Sequence, residues 1–242
     1  MWANAFEAWI KLTNQFILKS EKQMKILPRR LLTAAIIAVS TAGANLAQAE
    51  LAISANAGLV SDYYFRGVNL GDAGVYGGID LEVSGFYAGT WIIDDGTGGN
   101  DGLETDFYFG YGAGFGDFSF WVGYSRYEYT YTSDFEQEIN LTADYKGFGV
   151  EYSAGEMDYD DQTDYDFIAL SWSGEVFGAT VGTYDDDFND SYDYVELSAS
   201  GEIEGFDMTI SAGQTSNEEV GGVDAKSGVG YIALDISKTF DL

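Results

Sequence analysis

Acidic side chains one residue apart recur along this chain, at Asp80 and Glu82 and again at Glu104 and Asp106. In a β-strand that spacing puts both carboxylates on one face. There they can hold a hard cation, set the field of a wetted surface, or serve as the acid and base of glycosidic cleavage. The last role needs a defined separation and one raised pKa, which carboxylates on separate strands do not supply by spacing alone. The chain has no His and no Cys. Ser-His and Cys-His catalysis, ordinary zinc sites, axially His-ligated haem and a disulfide framework are therefore excluded. No enzymatic activity, metal or cofactor is expected.

The acids outnumber the bases 40 to 11, for a formal charge of −29. Such a surface repels phosphate backbones, so nucleic acid is not an expected partner, whereas cations and cationic solutes are. Disorder is not expected either, because 46% of the residues are hydrophobic and 16% aromatic.

Lys19, Lys22, Lys25, Arg29 and Arg30 precede the apolar run Leu31 to Ala44, which is followed by Ala47-Gln48-Ala49. This order of basic region, short apolar core and small-x-small site reads as a secretory signal cleaved after Ala49. The run is too short for a spanning helix, which needs about 20 apolar residues. Met24 could start an ordinary signal by itself, so residues 1–23 read as an over-extended start. Residues 1–49 are thus assigned to start and signal, and residues 50–242 to the exported domain. The mature part keeps 5 basic and 38 acidic side chains and loses the only proline, Pro28. A long proline-free stretch rich in Gly, Tyr, Phe, Val and Thr suits an uninterrupted antiparallel sheet.

Segments of period two are joined by two alternating kinds of connection. The short ones are Ser84-Gly85, Gly114 to Asp117, Tyr145 to Gly147, Ser173 to Val176 and Gly201 to Gly205. The long ones are Gly67 to Ala73, Asp94 to Gly102, Thr130 to Asp134, Met157 to Thr163, Asp185 to Ser191 and Thr215 to Gly228. Five short and six long connections separate twelve strands, the two-ended signature of an up-and-down transmembrane β-barrel. Phe86, Phe118, Phe148, Phe177 and Phe206 each follow a short turn, where an aromatic girdle would lie. Several strands alternate apolar and polar: Val75, Ile79 and Leu81 oppose Tyr76, Asp80 and Glu82, and Ile139, Leu141 and Ala143 oppose Glu138, Asn140 and Asp144. The segments near 86–93, 118–127 and 164–172 give no clear face. A soluble β-sandwich also alternates, but the export signal, the turn asymmetry and the strand lengths favour the membrane barrel.

Asn56 to Gly67 (NAGLVSDYYFRG), Gly85 to Trp91 (GFYAGTW) and the closing Ser237-Lys238-Thr239-Phe240 resemble the TorF-type family of porins. The resemblance spans essentially the whole mature chain, and the N-terminal motif is its specific part. It implies an outer-membrane β-barrel with a channel role, and names no solute. One departure is that Asp241-Leu242 follow Phe240, whereas outer-membrane strands commonly end on the aromatic that assembly factors read.

A twelve-stranded barrel should enclose a narrow lumen if no plug fills it, and no plug domain is visible in the chain. The candidate pore-lining residues are Asp62, Tyr64, Arg66, Asp80, Glu82, Glu104, Asp106, Glu138, Asp144, Glu151, Glu196, Asp207 and Asp235. Small inward residues on three late strands, among them Gly182, Ser198 and Ser211, should leave space, while Tyr64, Tyr76 and Tyr108 narrow the opposite wall. By parity Arg66 falls on the inward face of the first strand near the outer rim, where it should hold neighbouring carboxylates. Lys146, Lys226, Lys238 and Arg126 fall in turns, loops or strand ends, so no base is expected at mid-lumen. The acidic loops Asp158 to Asp164 and Asp185 to Asp190 lack the glycine and distal Glu of an EF-hand and read as solvated tips.

The expected molecule is an outer-membrane channel for passive diffusion of small hydrophilic solutes, preferring cations. Its partners are outer-membrane lipids, the assembly machinery and the solutes themselves. The alternative is a non-conducting barrel with a surface-binding or structural role.

Overall fold

The computed structural model describes residues 50–94, 102–158, 163–187, 191–216, 219–220, 223–224 and 230–242. The signal segment, Lys226 and the centres of the two acidic loops lie outside the described residues.

Two-residue turns with glycine in second place set the strand pairing. Ser84-Gly85, Lys146-Gly147 and Glu204-Gly205 each hold both residues at positive φ. That geometry matches the right-handed twist of the strands it joins. Around these turns the chain forms β1 (Ala52–Val60), β2 (Tyr63–Phe65), β3 (Val68–Gly71), β4 (Gly74–Val83), β5 (Phe86–Asp94), β6 (Leu103–Phe115), β7 (Phe118–Tyr129) and β8 (Phe135–Tyr145). It continues through β9 (Phe148–Met157), β10 (Thr163–Ser173), β11 (Phe177–Asp186), β12 (Ser191–Ile203), β13 (Phe206–Thr215), β14 (Glu219–Val220), β15 (Val223–Asp224) and β16 (Tyr231–Asp241). Twelve of these close an antiparallel barrel in the order β1, β16, β13 to β4, back to β1. Closure leaves no open edge and pairs every strand's backbone, as hydrocarbon demands. β14 and β15 pair with each other in one long connection, and β2 and β3 in another.

Register settles every face. Val75, Phe109 and Ile232 point outward and are 68%, 58% and 74% exposed, giving the barrel an apolar outer band. Phe86, Phe118, Phe148, Phe177 and Phe206 are the first residues of β5, β7, β9, β11 and β13. All five share the outward register at the short-turn end, as the girdle reading requires. Phe240 of β16 lies in the same register.

Inside, tyrosines lie flat over glycines of the adjoining strand. A Cβ added to Gly58 would strike the Tyr76 ring, one at Gly89 the Tyr108 ring, one at Gly155 the Tyr165 ring and one at Gly213 the Tyr231 ring. Each missing side chain is the seat of a ring that would otherwise block the lumen. Gly155→Val should therefore overpack the wall beneath the buried Tyr165 and cost about 1–3 kcal/mol. The check is a lowered temperature for the heat-induced gel shift of the folded barrel, and an unchanged temperature would refute the seat.

One sequence expectation needs correction here. The first strand ends at Val60, and the segment read as its outer half and following loop is instead the β2–β3 hairpin. Its turn is Arg66-Gly67, with φ of 49° and 83°. The pair has the same X-Gly form as Ser84-Gly85, so the signal was present in the sequence. Arg66 is thus on no barrel strand.

Candidate functional site

The β2–β3 hairpin is turned into the barrel and touches inward residues around most of its wall. Tyr63 donates to Glu104 Oε1 at 2.8 Å on β6, and its ring lies 5.9 Å from that of Trp91 on β5. Tyr64 stacks on Tyr231 of β16, with centroids 3.9 Å apart. Phe65 lies 6.0 Å from Tyr127 of β7. A Cβ on Gly67 would stand 2.6 Å from Tyr194 Cβ on β12, so the hairpin tip fits there only as glycine. The expectation of a lumen without a plug is corrected: a local hairpin, too short to register as a domain, crosses it.

Arg66 is the anchor. Its Nη1 donates to Glu138 Oε2 at 2.8 Å, and its Nη2 to Glu138 Oε1 at 3.0 Å, Glu151 Oε1 at 2.9 Å and Ser153 Oγ at 2.9 Å. The guanidinium lies 4.1 Å from the Phe167 ring centroid and 4.7 Å from that of Phe65. Ser153 is the sixth of ten residues in β9, so the cation reaches the middle of the barrel rather than its rim. Glu138 also accepts Tyr127 at 2.7 Å, Tyr165 at 2.9 Å and Asn140 at 3.2 Å. Its side chain is fully buried, whereas that of Glu151 is 37% exposed. A buried carboxylate is tolerable when a fork-shaped cation and further donors surround it.

The two acids should differ sharply on removal. Glu138→Ala leaves Arg66 buried without its bidentate partner and should cost about 3–5 kcal/mol. Glu151→Ala removes a pair partly screened by water and should cost under about 1 kcal/mol. Equal losses in denaturant unfolding would contradict this division.

The remaining expected lining residues fall as follows. Asp80, Glu82, Glu104, Asp106, Asp144, Glu196, Asp207 and Asp235 lie in the inward register of β4, β6, β8, β12, β13 and β16. Asp80 accepts Tyr108 and, at 3.3 Å, Asn56. Asp235 accepts Tyr76 at 2.9 Å, and Glu196 accepts Tyr231 at 2.8 Å. Asp62 lies in the bend after β1 and takes a bond from Ser61. Tyr64 and Arg66 belong to the hairpin, not the wall. Sequence parity missed Ser153, Tyr127, Tyr165 and Phe167, which receive Arg66 and Glu138. Of the described bases, Arg126 bonds Glu128 and lies 3.7 Å from the Phe135 ring centroid, Lys146 pairs with Asp117 in a turn, and Lys238 faces outward beside Phe206. Among the described residues only Arg66 brings a positive charge into the lumen, which corrects the expectation that no base sits at mid-lumen.

Anchored mainly toward β8 to β10, the hairpin leaves a cavity of about 330 Å³ against the other wall. Its lining includes Tyr63, Tyr64, Tyr76 and Trp91 together with Asp62, Glu196, Thr209, Ser211 and Asp235. The small residues of β13 keep this sector open, as the sequence suggested. Gly182 and Gly213 do not add space, because Tyr194 and Tyr231 lie over them.

Residues 44–231 match the model of Gcw_chp, described as a bacterial protein of unknown function, and the chain belongs to that family. No curated protein matches the sequence. Among solved structures, the barrel is similar to a KdgM porin, with a TM-score of 0.50, 9% identity, and coverage of 78% of this chain and 99% of that one. It is also similar to a structure described as "Unveiling the Mechanism Behind the in-meso Crystallization of Membrane Proteins", with a TM-score of 0.52, 10% identity, and coverage of 79% and 84%. OccD3 (OpdP) of Pseudomonas aeruginosa matches at a TM-score of 0.42 and 11% identity over 79% of this chain and 65% of that one. At these identities the likeness to the first two structures is one of fold alone, a β-barrel.

Proposed function

We propose that this member of the Gcw_chp family is an outer-membrane channel through which small hydrophilic solutes diffuse passively, with a preference for cations. The carrying observation is the charge of the inner wall. Besides the Arg66 partners, Asp80, Glu82, Glu104, Asp106, Asp144, Glu196, Asp207 and Asp235 face a lumen into which one described base projects, and that base is matched by Glu138 and Glu151. Charged walls of low dielectric concentrate counter-ions and set selectivity. The apolar outer band, the aromatic girdle and the signal-like N-terminus support an outer-membrane location. The N-terminal motif resembling TorF-type porins supports the channel role.

The hairpin favours one competing reading, a barrel whose lumen is closed and whose role is structural or surface-binding. A planar bilayer separates the two. Folded protein should conduct small ions, and in a salt gradient the reversal potential should carry the sign of cation preference. Anion selectivity would overturn the electrostatic reading, and absence of conductance in correctly folded protein would favour the closed barrel.

A further inference from the structure

The cavity beside the hairpin combines two features that serve different parts of one ligand. Its aromatic side is built from a cluster: Trp91 has Tyr76 at 5.2 Å and Tyr63 at 5.9 Å between ring centroids, and Tyr64 is held flat by its stack on Tyr231. Its polar lining carries Glu196 of β12 and Asp235 of β16, Thr209 and Ser211 of the intervening β13, and Asp62. No base lines it. An anion would therefore meet only repulsion there. A bare metal ion fits no better, because among the described residues no three acidic side chains converge as a metal site would require. The two carboxylates are instead spread apart, each fixed by a tyrosine hydroxyl, at 2.8 Å for Glu196 and 2.9 Å for Asp235. What suits separated carboxylates set among aromatic rings is a weakly hydrated positive charge carried on carbon. Its methyl or methylene groups lie against the rings while the charge feels both the ring quadrupoles and the acids.

We infer that the slot between the hairpin and strands β12, β13 and β16 is a binding site for small organic cations, in which an ammonium or quaternary ammonium group sits between Trp91 with its neighbouring tyrosines and the carboxylates of Glu196 and Asp235. The site deepens the channel reading and rests on it only in that the slot must open to water. It makes the passage discriminate among cations by their apolar surface as well as by charge. Inorganic cations pass with their hydration shells, while alkylammonium ions dwell.

The test is calorimetric titration of the folded full-length protein in detergent with choline chloride, alongside potassium chloride and glucose. Choline should bind saturably and the two controls should not. Trp91→Leu should weaken choline binding about tenfold while Trp91→Phe keeps it within about threefold, since a phenyl face retains much of the cation–π attraction. Glu196→Gln with Asp235→Asn should also weaken it about tenfold through loss of the local field. Heat-modifiable gel migration establishes that each variant is folded. Choline heats indistinguishable from those of potassium, glucose binding as tight as choline, or full affinity in Trp91→Leu would each overturn the site. Conductance without choline binding refutes this inference and leaves the channel standing, whereas choline binding without conductance does the reverse.

Discussion

Arg66→Ala is expected to raise single-channel conductance about twofold or more, because it removes the group that ties the hairpin across the lumen. Arg66 holds a φ of 49° in the same X-Gly turn form as the exposed Lys146-Gly147, so the turn needs no lumen to form and its tip is seated there by side-chain contacts. Those contacts are four hydrogen bonds to Glu138, Glu151 and Ser153 and the faces of Phe65 and Phe167. Alanine keeps none of them, so the tip loses its anchor and the hairpin is left with only the contacts of Tyr63, Tyr64 and Phe65. The same change leaves Glu138 buried without its cation and should destabilise the barrel by about 3–5 kcal/mol. Adding Glu138→Gln removes the orphaned charge and should recover much of that stability while the conductance stays high. Arg66→Lys should give intermediate conductance, since an ammonium cannot reproduce the two-pronged grip on Glu138. Wild-type conductance in folded Arg66→Ala protein would show that the hairpin is held by its aromatic contacts alone.

Converting Asp80, Asp207 and Asp235 together to asparagine should bring the cation-to-anion permeability ratio toward unity without abolishing conductance. These three lie in the inward register of β4, β13 and β16, Asp235 lines the cavity, and none of them is a hydrogen-bond partner of Arg66. The sequence alone would have chosen Glu104, Asp106 and Glu138 for this experiment. The structure makes that choice unsuitable, because Glu138 holds Arg66 and Glu104 holds Tyr63, so neutralising them would move the hairpin as well as the charge. The amide substitution preserves shape and the capacity to accept a bond from Tyr76 or Tyr108. Selectivity should also fade with salt, as the Debye length contracts from about 10 Å at 0.1 M to about 3 Å at 1 M. A permeability ratio equal to wild type in the triple variant would place the selecting field elsewhere.

The count of twelve barrel strands, their antiparallel order and the inward and outward faces of most of them were legible in the sequence for a simple reason. Alternation has period two, two-residue X-Gly turns dictate strand pairing locally, and a Phe recurs after each short turn, so each feature is written within a few residues of where it acts. Asp80, Glu104, Glu138 and Asp235 could be placed on the inner face by parity alone. The three segments that gave no clear face, near 86–93, 118–127 and 164–172, are strands β5, β7 and β10. Their inward positions carry Trp91, Ile93, Tyr127, Tyr165 and Phe167, and Ile93 and Phe167 are almost wholly buried. Alternation fails there because the inner wall is apolar, and it is apolar because hydrophobic and aromatic side chains fill the lumen around and beneath the hairpin. The blurred pattern was itself the trace of an occupied lumen, but it names no occupant. Which segment fills the barrel depends on contacts between residues 72 and 87 positions apart, Arg66 with Glu138 and with Ser153. Parity cannot anticipate such contacts, since a chain that leaves the sheet no longer obeys the period of the sheet. The sequence by itself thus determined the barrel, its membrane face and its acidic interior. Only the tertiary structure decided that Arg66 spends its charge inside, that the hairpin divides the lumen, and that the open part is an aromatic and acidic slot.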